Sequence, residues 1–271
     1  MSERITFIGG GNMASAIIGG LIQQGFARPL IDVVEPTEDA RHKLLGSFGI
    51  QAQPQVGPFL RDTGLVVWAV KPQTFKDAAL AAQPFSAQAL HLSVAAGIRS
   101  DSMATWLGSE RIVRAMPNTP ALVGRGIAGL FARSAVSEAD RQRVEQVMIT
   151  TGQYLWLDAE EQLDAVTALS GSGPAYVFYF MEAMTTAGTE MGLSREQAHQ
   201  LAVATFVGAS ELARSAQEPP QVLRQRVTSK GGTTFAAITE MENNDMRAIF
   251  IDAIYAARER AKTLGDEFGA A

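Results

Sequence analysis

At 271 residues, with 46% apolar and 19% charged side chains, the chain has an ordinary globular composition and enough length for two domains. A formal net charge of -5 with no basic run argues against nucleic acid as a partner, and the absence of cysteine excludes disulfides, thiolate zinc sites and a cysteine nucleophile. Met1-Ser2-Glu3-Arg4 runs straight into a strand pattern with no signal-peptide profile, and the longest aromatic-rich apolar run, residues 175–181, is too short to span a bilayer. The expected setting is the cytoplasm, with no membrane partner.

The β-branched run at residues 4–8 meets Gly9-Gly10-Gly11-Asn12-Met13-Ala14, and a helical pattern from Ala14 to Gln24 stops at Gly25. Gly9-x-Gly11-x-x-Ala14 between a strand and a helix is the dinucleotide fingerprint. Gly9 permits the turn, Gly11 lets the backbone approach a pyrophosphate, and Ala14 allows close packing of helix on strand. A second strand, residues 30–34, ends at Glu35-Pro36, where a ribose-recognising residue is expected. An acid there points to NADH, whereas nearby Thr37 and Arg41 would suit the 2′-phosphate of NADPH.

Residues 65–70 are apolar almost throughout, as in a parallel strand buried on both faces, and end at Lys71-Pro72-Gln73 with a helix beginning near Thr74. Loops at the carboxyl ends of such strands line a ligand crevice, which makes Lys71 a candidate cofactor contact. A strand at 90–94 leaves through Ala95-Ala96-Gly97, whose small side chains leave room for a nicotinamide. Another at 112–116 leads into Pro117-Asn118-Thr119-Pro120, a rigid loop in which Asn118 either bonds the cofactor or caps a turn. Strands at 126–131 and 153–157, flanking a helix from Ser137 to Thr150, complete a first domain of residues 1–160.

Beyond Asp158 the pattern turns helical. A helix over 160–169 is expected to break at Ser170-Gly171-Ser172-Gly173-Pro174. The next helix, 175–191, is apolar nearly all round and calls for burial between domains or subunits. Helical stripes follow at 195–216 and 245–264. Between them stands Val227-Thr228-Ser229-Lys230-Gly231-Gly232-Thr233-Thr234, read as a turn between an apolar helix and another helix. Its glycines bring the backbone close to a ligand, and a helix N-terminus with the hydroxyls of Ser229, Thr233 and Thr234 suits a small carboxylate. The alternative is a plain N-cap.

A dinucleotide-binding half and a helical half imply hydride transfer where the two meet. No carboxylate pair or metal-ligand cluster stands near either polar turn, and His42, His91 and His199 read as structural or solvated. Reduction of a C=N bond fits these absences: the imine arrives already protonated, and the protein has only to orient it.

At this point the chain resembles the pyrroline-5-carboxylate reductase family along essentially its whole length. The matching stretches are residues 7–14, 69–73, 93–97, 114–120, 170–176 and 223–234. The most specific is Val-Thr-Ser-x-Gly-Gly-x-Thr, followed by Ala237, Ile238 and Met241. The resemblance implies an α/β Rossmann-type N-terminal domain followed by an all-α C-terminal dimerisation domain, residues 161–271. It implies reduction of 1-pyrroline-5-carboxylate to L-proline with NADPH or NADH, the final step of proline biosynthesis, in a homodimer or a larger oligomer built from dimers. Carried over residue by residue, Gly9, Gly10, Gly11, Asn12 and Met13 hold the pyrophosphate, and Ala69, Val70, Lys71, Pro72 and Ala95 line the cofactor; Ile8, Glu35 and Asn118, beside these motifs at the strand ends, are further candidate cofactor contacts. Ser229, Gly231, Gly232 and Thr233 hold the substrate carboxylate, and Thr234 bonds the ring nitrogen as the catalytic residue. No metal is implied. The resemblance departs at Glu35, where many members lack an acid.

Two other readings compete. A β-hydroxyacid dehydrogenase has a similar layout but places a lysine four residues after the second glycine of a Gly-x-Gly turn. Here Gly171-x-Gly173 is followed at that spacing by Val177, which does no acid–base chemistry. A non-catalytic dinucleotide sensor keeps the fold without an intact 228–234 turn, and that turn is intact here.

Overall fold

The computed structural model describes residues 3–269. Its seven strands are β1 (Arg4–Ile8), β2 (Ile31–Val34), β3 (Thr63–Trp68), β4 (Leu90–Ser93), β5 (Ile112–Met116), β6 (Gly126–Ala132) and β7 (Gly152–Trp156). They form one sheet in the order β2-β1-β3-β4-β5-β6-β7. The first five run parallel, β6 runs antiparallel to β5, and β7 runs parallel to β6. The chain crosses from β1 to β2 on one side and then returns to β3 on the other. This places a topological switch point at the carboxyl ends of β1 and β3, where open parallel sheets bind ligands.

Successive side chains on a strand point to opposite faces, so an unbroken apolar strand supplies two cores at once. Leu65 and Val67 of β3 join one core with Phe7 and Leu92, while Val66 and Trp68 join the other. Helices α1 (Asn12–Gln23) and α2 (Glu38–Phe48) contribute to the first core through Ile17, Leu21 and Leu44. Helices α3 (Pro72–Ser86) and α4 (Ser100–Leu107) cover the second with Phe75, Ala79, Met103 and Trp106. Helix α5 (Glu138–Met148) returns to the first face, entered through a capping box between Ser137 and Asp140.

Several boundaries differ from the sequence expectation. Helix α1 starts at Asn12 rather than Ala14, with Gly11 as its N-cap. Strand β3 covers 63–68 rather than 65–70, although the Ala69 N–H still bonds the Ile8 carbonyl at 2.8 Å. Pro72 holds Lys71 extended and itself begins α3, two residues before Thr74. The break expected at 170–174 does not form. After α6 (Gln162–Val166) the backbone makes a π-helical turn, Thr167–Gly171, and Ser172 keeps right-handed helical dihedrals. The Ser170 hydroxyl bonds back to the Val166 carbonyl, so a serine read as a breaker serves the helix instead.

The remaining helices are α7 (Gly173–Glu190), α8 (Arg195–Ser215), α9 (Pro220–Arg226), α10 (Thr233–Asn243) and α11 (Met246–Gly269). Contacts gather residues 3–172 with 257–269 into one unit and 173–256 into another. The division at 160 expected from sequence cuts earlier and assigns all of α11 to the helical half. The last turns of α11 belong with the sheet because Leu264 and Phe268 lie against Gly97, and Ala261 is buried there. In the second unit, α7 and α8 meet at Gly188, where an added Cβ would lie 2.8 Å from Ala198 Cβ. Tyr176 and Phe180 of α7 both meet the Phe250 ring edge to face.

One buried polar pair sets an acid limit on the first unit. Trp68 Nε1 donates to His91 Nδ1 at 3.1 Å, with both rings wholly buried. Burial opposes the imidazolium and pushes the His91 pKa down from 6.5 to about 4. The folded protein thus binds fewer protons than the unfolded chain between those values. The stabilisation is complete above pH 6.5 and is lost as pH falls towards 4, a total of about 3 kcal/mol. Urea unfolding across that interval is expected to show the slope, and His91→Gln to flatten it.

Candidate active site

Five strand ends converge along the sheet edge on residues singled out from sequence. The Gly9 N–H bonds the Val34 carbonyl at 2.8 Å, the Ala69 N–H bonds the Ile8 carbonyl, and the Val94 N–H bonds the Trp68 carbonyl at 3.0 Å. These bonds tie the ends of β1, β2, β3 and β4 into a single rim. Gly9 has φ +95, and a Cβ on it would lie 2.5 Å from the Ala69 carbonyl oxygen. Only glycine permits that turn against that strand. Gly10 is buried against Leu44, whereas Gly11 is exposed and a Cβ there would meet nothing within 4 Å.

The open side of Gly11 is the cradle in which a pyrophosphate fits. Helix α1 begins there with no side-chain cap, so its first backbone N–H groups keep their capacity to bind an anion. Ile8 is buried in the second core, Asn12 is exposed and Met13 is half-buried against the first core. Ala69, Val70 and Pro72 are half-buried along the β3–α3 connection, and Lys71 is exposed as the N-cap of α3. Ala95 is buried behind the β4 end, its N–H 3.3 Å from the Ser93 hydroxyl.

Two residues expected to touch the cofactor turn inward. Glu35 accepts from the Gly10 N–H at 2.8 Å and the Thr37 N–H at 2.9 Å, so its carboxylate lies against the glycine loop. Asn118 accepts from the Ile127 N–H at 3.0 Å and donates to the Ser170 carbonyl at 3.2 Å. It braces the loop after β5 and joins it to the π turn. The side chain does not cap the following turn, and both of its bonds reach partners that spacing alone does not reveal.

In the helical unit, residues 228–232 form a tight turn between α9 and α10. Gly231 has φ +76, and Gly232 is the N-cap of α10, its N–H bonded to the Ser229 carbonyl at 3.0 Å. A Cβ on Gly232 would lie 2.8 Å from Ser229 Oγ, so glycine is what lets that hydroxyl sit over the helix entry. Gly232 lacks a side-chain cap, which leaves the first N–H groups of α10 unpartnered. The hydroxyls of Ser229, Thr233 and Thr234 make no hydrogen bond among the described residues. The turn therefore gathers donors without internal partners, as an anion site requires. Helix α9, expected to be apolar, is short, mostly polar and without a buried residue.

A cluster that sequence reasoning left unassembled lies behind the sheet edge. Arg114 of β5 is 5% exposed and bonds Glu160 at 2.5 Å, and Glu160 also accepts from the Ser100 N–H at 2.7 Å. Burial pushes the Glu160 carboxyl upward, but Arg114 and the Ser100 bonds outweigh it and hold it below the usual carboxylate range. Arg99 forms a two-pronged pair with Asp164 at 3.0 and 3.3 Å. An arginine inside an apolar strand is the sequence clue to such a partner. Among the described residues no group of three or more potential ligands gathers to hold a metal.

Comparison with known proteins agrees with this layout. Residues 160–264 match the family described as pyrroline-5-carboxylate reductase dimerisation, and residues 4–97 match the NADP oxidoreductase, coenzyme F420-dependent, family. The chain is 44% identical to the pyrroline-5-carboxylate reductase of Pseudomonas aeruginosa, covering 99% of both chains. It is 36% identical to the Escherichia coli enzyme, over 97% of this chain and 99% of that one. It superposes on the Coxiella burnetii reductase with a TM-score of 0.90 at 38% identity, covering 97% and 99% of the two chains. The Plasmodium falciparum enzyme, solved with NADP bound, gives 0.87 at 28% identity, covering 97% and 98%.

Two glycines of the loop separate in their expected responses. Gly9→Ala meets both the Ala69 carbonyl and an unfavourable φ, and is expected to cost about 2 kcal/mol or more. Gly11→Ala is expected to change stability by no more than about 1 kcal/mol. It should nevertheless weaken dinucleotide binding roughly tenfold by filling the cradle. Thermal melts and fluorescence titration distinguish the two.

Proposed function

This chain belongs to the pyrroline-5-carboxylate reductase family, and we infer that its activity is the family's, reduction of 1-pyrroline-5-carboxylate to L-proline with NAD(P)H. The observation that carries the site assignment is the 229–234 turn, where a helix N-terminus and three uncommitted hydroxyls gather around two glycines. Ser229 and the N–H groups that follow Gly232 hold the substrate carboxylate, using the positive end of α10 and its unpartnered donors. Gly231 supplies the left-handed turn that brings them together. Thr234 presents its hydroxyl to the ring nitrogen and orients the C=N bond.

The dinucleotide is held by residues 8–13, with Ala69, Val70, Lys71, Pro72 and Ala95 along its length. When bound, it supplies the hydride that adds to the imine carbon, while the nitrogen already carries its proton and becomes the amine of proline. The protein therefore needs no strong base. Its contribution is orientation and exclusion of water around a preformed geometry. Glu35 and Asn118 hold loops of the same rim in place. The pathway role that follows is the last step of proline synthesis.

A homo-oligomer built from dimers completes this reading. Helix α7 buries only Gly188 within the chain, and Phe178 and Tyr179 stay 59% and 69% exposed. Exposed aromatic and aliphatic side chains on α8, α10 and α11 extend the same apolar character. Surfaces of this kind mark protein interfaces, and a second copy of the chain is the occupant that the dimerisation match supports. No described helix is long and apolar enough to cross a membrane. A cysteine-free chain needs no oxidising compartment, and the cytoplasm is the setting assigned.

Loss of nicotinamide absorbance with 1-pyrroline-5-carboxylate, run in parallel with NADPH and NADH, tests the activity. Folded protein that binds cofactor without turnover would defeat it. Thr234→Ala is expected to keep cofactor binding and lose about tenfold to a hundredfold in kcat/KM. Unchanged kinetics would remove Thr234 from the mechanism. For the assembly, sedimentation should show a dimer or larger, and Phe178→Glu should shift it towards monomer.

A further inference from the structure

We propose that two charged residues at the β2–α2 connection have separate tasks: Glu35, just past β2, is a positioning residue that fixes the phosphate loop, and Arg41, in the first turn of α2, reads the 2′ position of the ribose. This rests on the dinucleotide reading above and assigns the residues that govern its choice of cofactor. An acid at this strand end ordinarily accepts hydrogen bonds from the ribose hydroxyls and disfavours a 2′-phosphate. Here both oxygens have other partners. Oε2 accepts from the Gly10 N–H at 2.8 Å and Oε1 from the Thr37 N–H at 2.9 Å, with the residue only 9% exposed. The approach depends on residue 10 lacking a side chain, since a Cβ there would lie 2.6 Å from Leu44 Cδ1 and 3.3 Å from Oε2. Hydrogen bonds from backbone N–H groups to a carboxylate are charge-assisted and roughly twice as strong as neutral ones. Glu35 thus sets the loop between β1 and α1 before any ligand arrives, removing an ordering cost from binding.

Arg41 is held differently. Its Nη1 donates to the carbonyls of Glu35 at 3.0 Å and Pro36 at 2.6 Å, and Nε and Nη2 make no hydrogen bond among the described residues. A guanidinium pinned through one nitrogen keeps a planar donor edge, the geometry that suits a phosphate. It stands in the first turn of α2, which follows the β2 end where a 2′-phosphate falls in this fold. The Thr37 hydroxyl beside it caps nothing. Glu38 and Asp39, in the first turn of α2, carry charge of the same sign as a phosphate. Recognition of the 2′-phosphate of NADPH therefore depends on Arg41.

The test combines fluorescence titration of NADPH and NADH with amide hydrogen exchange on cofactor-free protein. Glu35→Gln is expected to weaken both nucleotides by the same factor, leaving their ratio within about twofold. Arg41→Ala is expected to shift the NADPH-to-NADH affinity ratio about tenfold or more towards NADH. In the unmodified protein the Gly10 amide should exchange about a hundredfold more slowly than those of Gly11 and Asn12, a readout that needs no variant to fold. Selective loss of NADH in Glu35→Gln, an unchanged ratio in Arg41→Ala, or a Gly10 amide exchanging as fast as its neighbours would overturn the assignment. If the unmodified protein binds neither nucleotide, the dinucleotide reading itself fails. If it binds both and the variants behave otherwise than expected, only the separation of tasks fails.

Discussion

The close approach of Gly9 to Ala69 is the constraint on which the first unit depends. Strand β1 must leave the sheet beside β3, and the space between the two backbones admits hydrogen but no carbon. With that turn made, α1 starts at Asn12 and presents unpartnered N–H groups outward, while Ile17 and Leu21 reach the core behind the sheet. The same geometry that seals the core thereby opens the anion cradle at Gly11. Glu35 extends the constraint one strand further, since its bond to Gly10 links the end of β2 to the loop that β1 and β3 define.

The two units are stabilised by different means. The sheet unit has a core on each face, and buried pairs such as Arg114 with Glu160 tie the segment after β7 to the strands. Breaking such a pair by removing one partner leaves an uncompensated buried charge, so it enforces one arrangement more than it adds net stability. The helical unit buries few side chains of its own: α10 has none, and α8 has only Ala198 and Ala202. The large apolar side chains left exposed on these helices lie in the segment that matches the dimerisation family.

The two candidate anion sites share one local feature. A glycine-rich turn delivers the chain into a helix with no capping side chain, so the donors that a serine or aspartate cap would satisfy are left for a ligand. Helices α5 and α8, by contrast, are entered through full capping boxes at Ser137 and Ser194.

By itself the sequence determined the elements and chemistry carried by local pattern. Apolar runs became strands within two residues, the glycine loop stood between strand and helix, and the 228–234 turn was legible from its glycines and hydroxyls. Helix α4 was not, because it is only eight residues long. What tertiary structure alone decided were the partners at long sequence separation. The inward turn of Glu35 to Gly10, the link from Asn118 to Ser170, the pairing of Arg114 with Glu160 and the return of α11 to Gly97 join residues that no periodicity connects. A strand or helix is set by repeats of two or 3.6 residues along the chain. A side chain's hydrogen-bond partner is set by which distant backbone folding brings within 3 Å.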